Sequence, residues 1–495
     1  MKIKILLLIW VCSACSVSAQ SAQDGFDRQW IFGRFTTPVP SGTVLDFNGD
    51  TLNLTAVDKK MELEGSCAIM CDAMGKLLFY SNGCYIANAS HQVMANGDSI
   101  GKGLFETSYC NTGGNPINQG IIALPKPQSD HLYYLFYTDL GEPYEMTPYF
   151  PLAPITLYYS IIDMSLENGM GKVVEKNKII LQDTFSKGMI QAAQHANGKD
   201  WWIILPKSHT NCYWTIHLTS NGIENIFKQC NGPIWMDNDS QGQAVFSPNK
   251  KYYARFNYFY GLNLFNFNDS SGKISILNNV DFGKDTFNFN GLSFSPNSRF
   301  VYAACNTKLW QFDTQNSDFS LSRILIGTLI TPFNISTKTR FNHACLAPNG
   351  KIYIGGSNAF NYLHSIDYPN CYGPACGLNQ YSVKLFGTST YTMPNFPHYK
   401  KWIENDTCKN ITSISPVDEH LSSIRFYPNP VQNYLFAFGI KEGDNLDFLD
   451  PLGNLVFTVT WNDEQLNIET LAIGFYIIKV KRNHVLLGNF TLIKI

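Results

Sequence analysis

Charge is what this chain has least of. Asp, Glu, Lys and Arg make up only 15% of 495 residues, and the formal net charge is −2. Soluble domains usually carry about a quarter. No long basic run occurs, which argues against nucleic acid as a main partner. The motifs that announce chemistry are missing too. There is no Gly-x-Ser-x-Gly elbow, no His-Glu-x-x-His pair, no EF-hand loop and no Ser-x-Asp-x-Gly-x-x-Trp box. Asp46-Phe-Asn-Gly-Asp50 is too short to support a calcium loop. No two CxxC motifs coexist, and Cys67-x-x-x-Cys71 has no matching His pair, so disulfides are expected rather than zinc. The expectation is of no catalytic constellation, no metal and no cofactor. Past the N-terminus, no apolar run is long enough to span a bilayer.

What is present points to strands. Hydrophobic residues make up 44% and aromatics 14%, with 26 Tyr and 34 Phe. Flat and β-branched side chains pack well on a pleated surface. The N-terminus reads as a signal peptide over residues 1–19. Met1-Lys-Ile-Lys4 is basic, Ile5 to Val11 is apolar, and Val17-Ser-Ala19 supplies small residues for cleavage. Lipidation at Cys15 is the alternative, weakened by Cys12 where Leu is preferred. Of 13 cysteines, two fall in this leader. In an oxidising compartment several of the other eleven should pair, and the odd count leaves a thiol free or intermolecular. Cys371 and Cys376, bracketing the turn-former Tyr-Gly-Pro-Ala, form the best local pair.

One pattern repeats: an apolar strand, a short polar turn and a second strand rich in Tyr and Ile. It reads Phe246-Ser-Pro-Asn-Lys-Lys-Tyr-Tyr253, Phe294-Ser-Pro-Asn-Ser-Arg-Phe-Val-Tyr302 and Leu346-Ala-Pro-Asn-Gly-Lys-Ile-Tyr353. Weaker copies place turns near Gly75, Asp130 and Gly198. Pro sets φ, and Asn-Gly tolerates positive φ to close the hairpin. The turns recur every 50 to 70 residues or so, the range of propeller blades. Two hairpins per repeat make a four-stranded sheet, and sheets set radially make a β-propeller over residues 24–403, seven blades being favoured and six possible. Residues 28–66 carry strands without the turn and either complete a seventh blade or close the ring. Residues 404–422 read as a polar linker. Seven short strands follow in residues 423–495, a small β-sandwich.

Several side chains invite a functional reading. His195 and His343 each precede a repeat turn and could stand near the axis, although hydrogen bonding between blades is the plainer role. Glu62 and Glu64 share one strand face and could form an acid pair. Glu64-Gly-Ser reads more simply as a structural signature. Trp201-Trp202 and Tyr133-Tyr134 read as blade core rather than a sugar platform.

The last segment resembles the type A C-terminal sorting domain of the Bacteroidetes type IX secretion system. The residues that carry the resemblance are Tyr427-Pro428-Asn429-Pro430-Val431, Asp450-Pro-Leu-Gly453-Asn-Leu-Val456, Leu471-Ala-Ile-Gly474-Phe-Tyr476 and Ile493-Lys-Ile495. The resemblance implies export to the cell surface or medium, with the secretion machinery as a partner. The large domain resembles propeller-like regions of secreted Bacteroidetes proteins, through Trp30-Ile-Phe-Gly33, Glu64-Gly-Ser66, Gly75-Lys-Leu-Leu-Phe-Tyr-Ser-Asn-Gly83, Gln119-Gly-Ile-Ile122 and Asn395-Phe-Pro-His398. That likeness speaks to fold and not to activity. The expected role is a binding, adhesion or scaffold module with an extracellular glycan or protein ligand. The alternatives are a hydrolase or lyase acting on polysaccharide or peptide at the propeller mouth, and a purely structural part of a surface assembly.

Overall fold

The computed structural model describes residues 25–35, 39–49, 51–101, 109–110, 113–139, 142–143, 152–235, 242–257, 259–283, 290–330, 339–391, 393–402, 408, 424–451, 453–462, 465–482 and 485–495. The expected signal peptide and most of the expected linker lie outside these residues. The chain divides into two compact units, Met1–Cys408 and Lys409–Ile495.

The large unit is a β-propeller; among the described residues seven sheets follow the repeat in order, and a two-stranded ribbon, Glu142–Pro143 with Leu152–Ala153, lies within the third. Sheet 1 holds Gln29–Phe32, Gly42–Asp46 and Asn53–Val57, and sheet 2 holds Ala68–Cys71, Leu77–Ser81 and Ile86–Asn88. Sheets 3 to 7 have four antiparallel strands each and span residues 121–182, 191–230, 243–280, 290–328 and 341–389. In sheets 2 to 7 the first strand lies innermost. The inner strands Ile121–Pro125, Gln243–Phe246 and Asn290–Phe294 are buried along their whole length, whereas the outer strand Lys172–Gln182 is largely open to solvent.

The three full copies of the repeat turn share one geometry. Lys250, Ser298 and Gly350 donate N–H to Ser247, Ser295 and Ala347 carbonyls, and all three have positive φ, between 60° and 85°. This is a type I turn, with Pro at its second position, followed by a left-handed residue. Gly75 and Gly198 fill the left-handed position in weaker copies. In the copy expected to turn near Asp130, Gln128 is the positive-φ residue, directly after Pro127. Lys250 stands where glycine would be unstrained. Lys250→Gly should therefore raise stability by about 0.5–1 kcal/mol, read as a higher urea midpoint at unchanged slope. A lower midpoint would mean that its long ion pair to Asp269, at 3.8 Å, outweighs the backbone strain.

Polar bonds stitch neighbouring sheets. Ser66 Oγ donates to Ile117 O (2.6 Å), Ile190 N to Gln119 O (3.0 Å), Ile274 N to Gln229 Oε1 (2.9 Å), Asn249 N to Ser298 Oγ (3.0 Å) and Tyr302 OH to Pro369 O (2.8 Å). The ring closes through sheet 1. Arg34 N donates to Thr388 O (2.7 Å) and Phe386 N to Thr43 Oγ1 (2.8 Å), while Trp30 packs edge-on against Tyr353. Residues 28–66 thus form the sheet that joins the last repeat to the first.

Among the described residues three disulfides form: Cys84–Cys110, Cys212–Cys230 and Cys371–Cys408. The expected Cys371–Cys376 pair does not form. A 3-10 turn over Gly373–Cys376 carries Cys376 into the core, where burial pushes its thiol up to about 11 and Tyr302 lies beside it. Cys371 is left to reach Cys408, far along the chain. Of the other described cysteines, Cys67, Cys71 and Cys305 are buried and Cys345 is partly so.

The small unit packs two sheets around Leu446, Phe448, Ile478, Val480 and Leu492. One holds Arg425–Tyr427, Tyr434–Phe438 and Gln465–Asn467. The other holds Asn445–Leu449, Leu455–Thr460, Gly474–Arg482 and Val485–Lys494.

Candidate functional site

The propeller axis is occupied by the chain itself. Residues 394–398 fill it, Lys400 beyond them bonding Pro348 O in the repeat turn of sheet 7, and prolines at 394 and 397 remove the N–H groups that would let this segment join a ladder. Asn395 N donates to Cys67 O (2.9 Å), and side chains make the other anchors. Asn395 Nδ2 donates to Ile121 O and Ile190 O, both 2.9 Å away. Asn395 Oδ1 accepts from Gln119 Nε2 (3.1 Å) and Gln191 Nε2 (2.9 Å). Gln119 also donates to Ala244 O (2.9 Å) and accepts from Ala244 N (2.9 Å). Gln243 bridges further, donating to Ala344 O (2.6 Å) and accepting from Leu292 N (2.7 Å). Neutral amides from sheets 4 and 5, from the lead-in to sheet 3 and from the final segment thus tie inner strands across the axis. A void of only about 20 Å³ remains beside them. Below Asn395, Phe396 packs near Trp30 and Tyr399 near Phe26 and Trp201. His398 shares a hydrogen bond with Phe246 O at 2.9 Å.

A second feature lies at the turn edge of sheets 3 and 4, an open cleft of about 370 Å³. Asp200 comes from the repeat turn of sheet 4. His217 comes from its third strand, and Asn221 and Glu224 from the following hairpin. Asn197 Nδ2 donates to Asp200 Oδ2 (2.6 Å), and Asn221 Nδ2 donates to Glu224 Oε1 (2.7 Å). The bonds from Asn221 and Thr219 hold the exposed Glu224 carboxyl below its usual range. His217 stacks on Trp202 at 4.3 Å and on His195 at 5.2 Å. Burial, reinforced by His195, lowers the His217 pKa against the pull of Asp200 and Glu224. Its Nε2 is buried without a hydrogen-bond partner, 3.7 Å from Asp200 Oδ2. His195 accepts Asn197 N–H at Nδ1 (3.0 Å), so Nε2 carries the proton toward Ser270 O (3.2 Å).

The other side chains singled out in the sequence fall elsewhere. His343 is buried in sheet 7, bonded to the Gly242 carbonyl, and burial lowers its pKa to about 4. Glu64 pairs with Arg34 at 2.9 Å, and burial raises its pKa against that attraction. Asn82 Nδ2 bonds the Glu62 backbone carbonyl at 3.0 Å. Trp201, Trp202, Tyr133 and Tyr134 are all core residues. Asp46 serves its own turn, accepting from Asn48 N and Gln29 Nε2, and Asp50 lies outside the described residues. Among the described residues no three His, Cys, Asp or Glu side chains are placed to hold a metal ion. Of the axial amides, the sequence singled out Gln119 and Asn395 as marks of the fold and not of a site, and Gln191 and Gln243 not at all, although their signal is there. Gln119, Gln191 and Gln243 each stand at or just before an inner strand, as Gln-Gly-Ile-Ile, Gln-Ala-Ala and Gln-Ala-Val.

In the small unit, the turn motif Tyr427-Pro-Asn-Pro-Val431 is locked to the last strand. Asn429 donates Nδ2 to Thr491 O (2.8 Å) and accepts from Ile493 N (2.9 Å). Val431 bonds Ile493 and Ile495 through its backbone and is fully buried, while Tyr427 stacks on Phe436. Gly453 has φ +87° in the turn closed by Asp450 and Asn454, so a side chain there would be strained. Tyr476 is buried and donates to Ala472 O (2.8 Å). Gly474 has no such constraint: a Cβ there would meet only ordinary contacts with Tyr476. Asp444 holds Arg482 through two 2.7 Å bonds.

Ring and tail together define an exported propeller protein. Residues 425–488 match the secretion system C-terminal sorting domain, and that tail directs the chain through the type IX system to the cell surface or the medium. No curated protein sequence matches the chain. Among solved structures, the Swd1 β-propeller domain of Myceliophteria thermophila is similar at 11% identity, TM-score 0.36, over 67% of this chain and 92% of that one. PorZ, a surface component of the type IX secretion system of Porphyromonas gingivalis, is similar at 10% identity, TM-score 0.28, over 92% and 68%. A periplasmic gluconolactonase of Pseudomonas aeruginosa is similar at 8%, TM-score 0.32, over 74% and 86%. No helix among the described residues is long and apolar enough to cross a membrane.

Proposed function

We propose that the exported propeller is a binding module, working as an adhesin or scaffold that holds an extracellular glycan or protein on its outer surfaces. The observation that carries this reading is the filled axis. Where the channel of a propeller would receive a small ligand, this chain places its own Asn395 and Phe396 and satisfies the surrounding amides internally. A ring closed in this way is rigid and presents turns and strand edges for contact. The hydrolase or lyase alternative draws on Glu62 and Glu64, but the Glu64 carboxylate is engaged by Arg34.

The test uses the secreted full-length protein against arrayed glycans, extracellular proteins and whole cells. Retention without release of reducing ends or new amino termini is expected. Turnover of a retained polymer would overturn the reading in favour of an enzyme. In a type IX host, a version ending at Asn405 should stay behind the outer membrane, with surface and medium signal falling at least tenfold. Equal export of both forms would sink the sorting role of residues 423–495.

A further inference from the structure

We propose that the cleft between the turn edges of sheets 3 and 4 is a saccharide subsite that takes a neutral sugar residue through a pair of adjacent hydroxyls. This rests on reading the propeller as a binding module and names where, and for what, it binds.

The cleft has the volume of a small-ligand site, at about 370 Å³. All its lining side chains are polar, so it offers nothing to a lipid tail or an apolar peptide side chain. Its two carboxylates are each paired with one amide: Asp200 with Asn197, and Glu224 with Asn221. A carboxylate has about four acceptor positions and an Asn amide two N–H donors, so each pair keeps acceptors and a donor to spare. A sugar hydroxyl gives one hydrogen bond and receives others. Neighbouring hydroxyls on one ring therefore match an acceptor and a donor held side by side. His217 also lines the cleft; its Nε2 is closed off from solvent, makes no hydrogen bond and lies 3.7 Å from Asp200 Oδ2.

Charge argues against other ligands. Asp200 and Glu224 bring two negative charges and Lys199 one positive, so an acidic sugar or a phosphate meets net negative charge. The described His, Cys, Asp and Glu side chains do not group to hold a cation. The frame is rigid. His217 is stacked on Trp202, whose indole N–H is fixed by a 2.8 Å bond to Asp269 O. A preorganised polar cleft loses little conformational entropy on binding.

The test measures retention of full-length protein on immobilised dextran, mannan, galactan and xylan, with pectate and heparin as acidic contrasts. At least one neutral polymer should retain the protein. Glu224→Gln and Asp200→Asn should each weaken that retention tenfold or more. Glu224 is exposed, so its variant should melt with the parent, which separates lost binding from lost folding. If neutral polymers are retained equally by parent and both variants, the subsite is wrong while the binding reading stands. Retention only on the acidic polymers overturns the neutral-sugar assignment. If no glycan, protein or cell surface retains the parent, both readings fall.

Discussion

Asn395→Ala should lower the stability of the propeller by roughly 3–6 kcal/mol, moving its melting temperature down by on the order of 5–10 °C. The side chain makes four bonds to four different partners, and all of them are buried. Alanine removes both halves of the amide. The carbonyls of Ile121 and Ile190 lose their donor, and the side chains of Gln119 and Gln191 lose an acceptor. Each polar group stranded in this way costs about 1–3 kcal/mol. The void beside the site is about 20 Å³, room for about one water, so solvent can repair only part of the loss. Asn395→Asp keeps the shape but removes both donors and puts a carboxylate against two carbonyl oxygens, so it should be at least as damaging. Urea unfolding of the secreted protein measures both. An unchanged midpoint in Asn395→Ala would mean that the axial segment is a passenger and that the sheets close the ring without it.

Acid should unfold the propeller well before the sorting domain. His343 and His364 are buried, and desolvation lowers their pKa values to about 4 and about 3. His364 lies among Phe341, Phe360 and Tyr381, accepting Tyr381 N–H at Nδ1. Both folded pKa values lie below the unfolded value of about 6.5. Their contribution is therefore fully present above about pH 6.5 and is lost as pH falls toward 4 and 3, because the unfolded chain takes up protons that the folded one refuses. At about 1.4 kcal/mol per pKa unit, each histidine surrenders on the order of 3 kcal/mol by pH 4, a large part of a typical folding free energy. The small unit answers to a different group. Burial of Asp444 is outweighed by its bonds to Arg482 and Lys441, so its pKa is lowered from 3.8. Its contribution is present above that value and is lost only as pH falls below it. Calorimetry from pH 7.5 to 4 should show the propeller transition dropping while the sorting-domain transition holds. His364→Gln should flatten the drop, whatever it does to stability at pH 7.5. Parallel behaviour of the two transitions would refute the assignment.

The repeat turns were legible because their chemistry is local. Ser-Pro-Asn-Lys and Ser-Pro-Asn-Ser set one φ and demand one left-handed residue whatever surrounds them, and Lys250 and Ser298 adopt it. The sorting motif was legible for the same reason. Gly453 answers to its own turn, and the Pro-Asn-Pro run to one neighbouring strand. The Cys371 partner was misread because proximity in sequence stood in for proximity in space. A 3-10 turn of four residues was enough to turn Cys376 inward, and the true partner lies 37 residues away.

Local pattern, then, determined the strands, the turns and the address at the C-terminus, since each depends on dihedral preference and on apolar periodicity within a few residues, and it left six and seven sheets both open. Tertiary structure alone decided what stands on the axis and what shares the rim. Gln119, Asn395 and Ala244 meet across separations of 125 and 276 residues. Asp200 and His217 face one cleft because a strand folds back on its neighbour. A neutral amide has no preference of its own for such a place. Only the closing of the ring, which removes water and leaves each polar group to find a protein partner, puts it there.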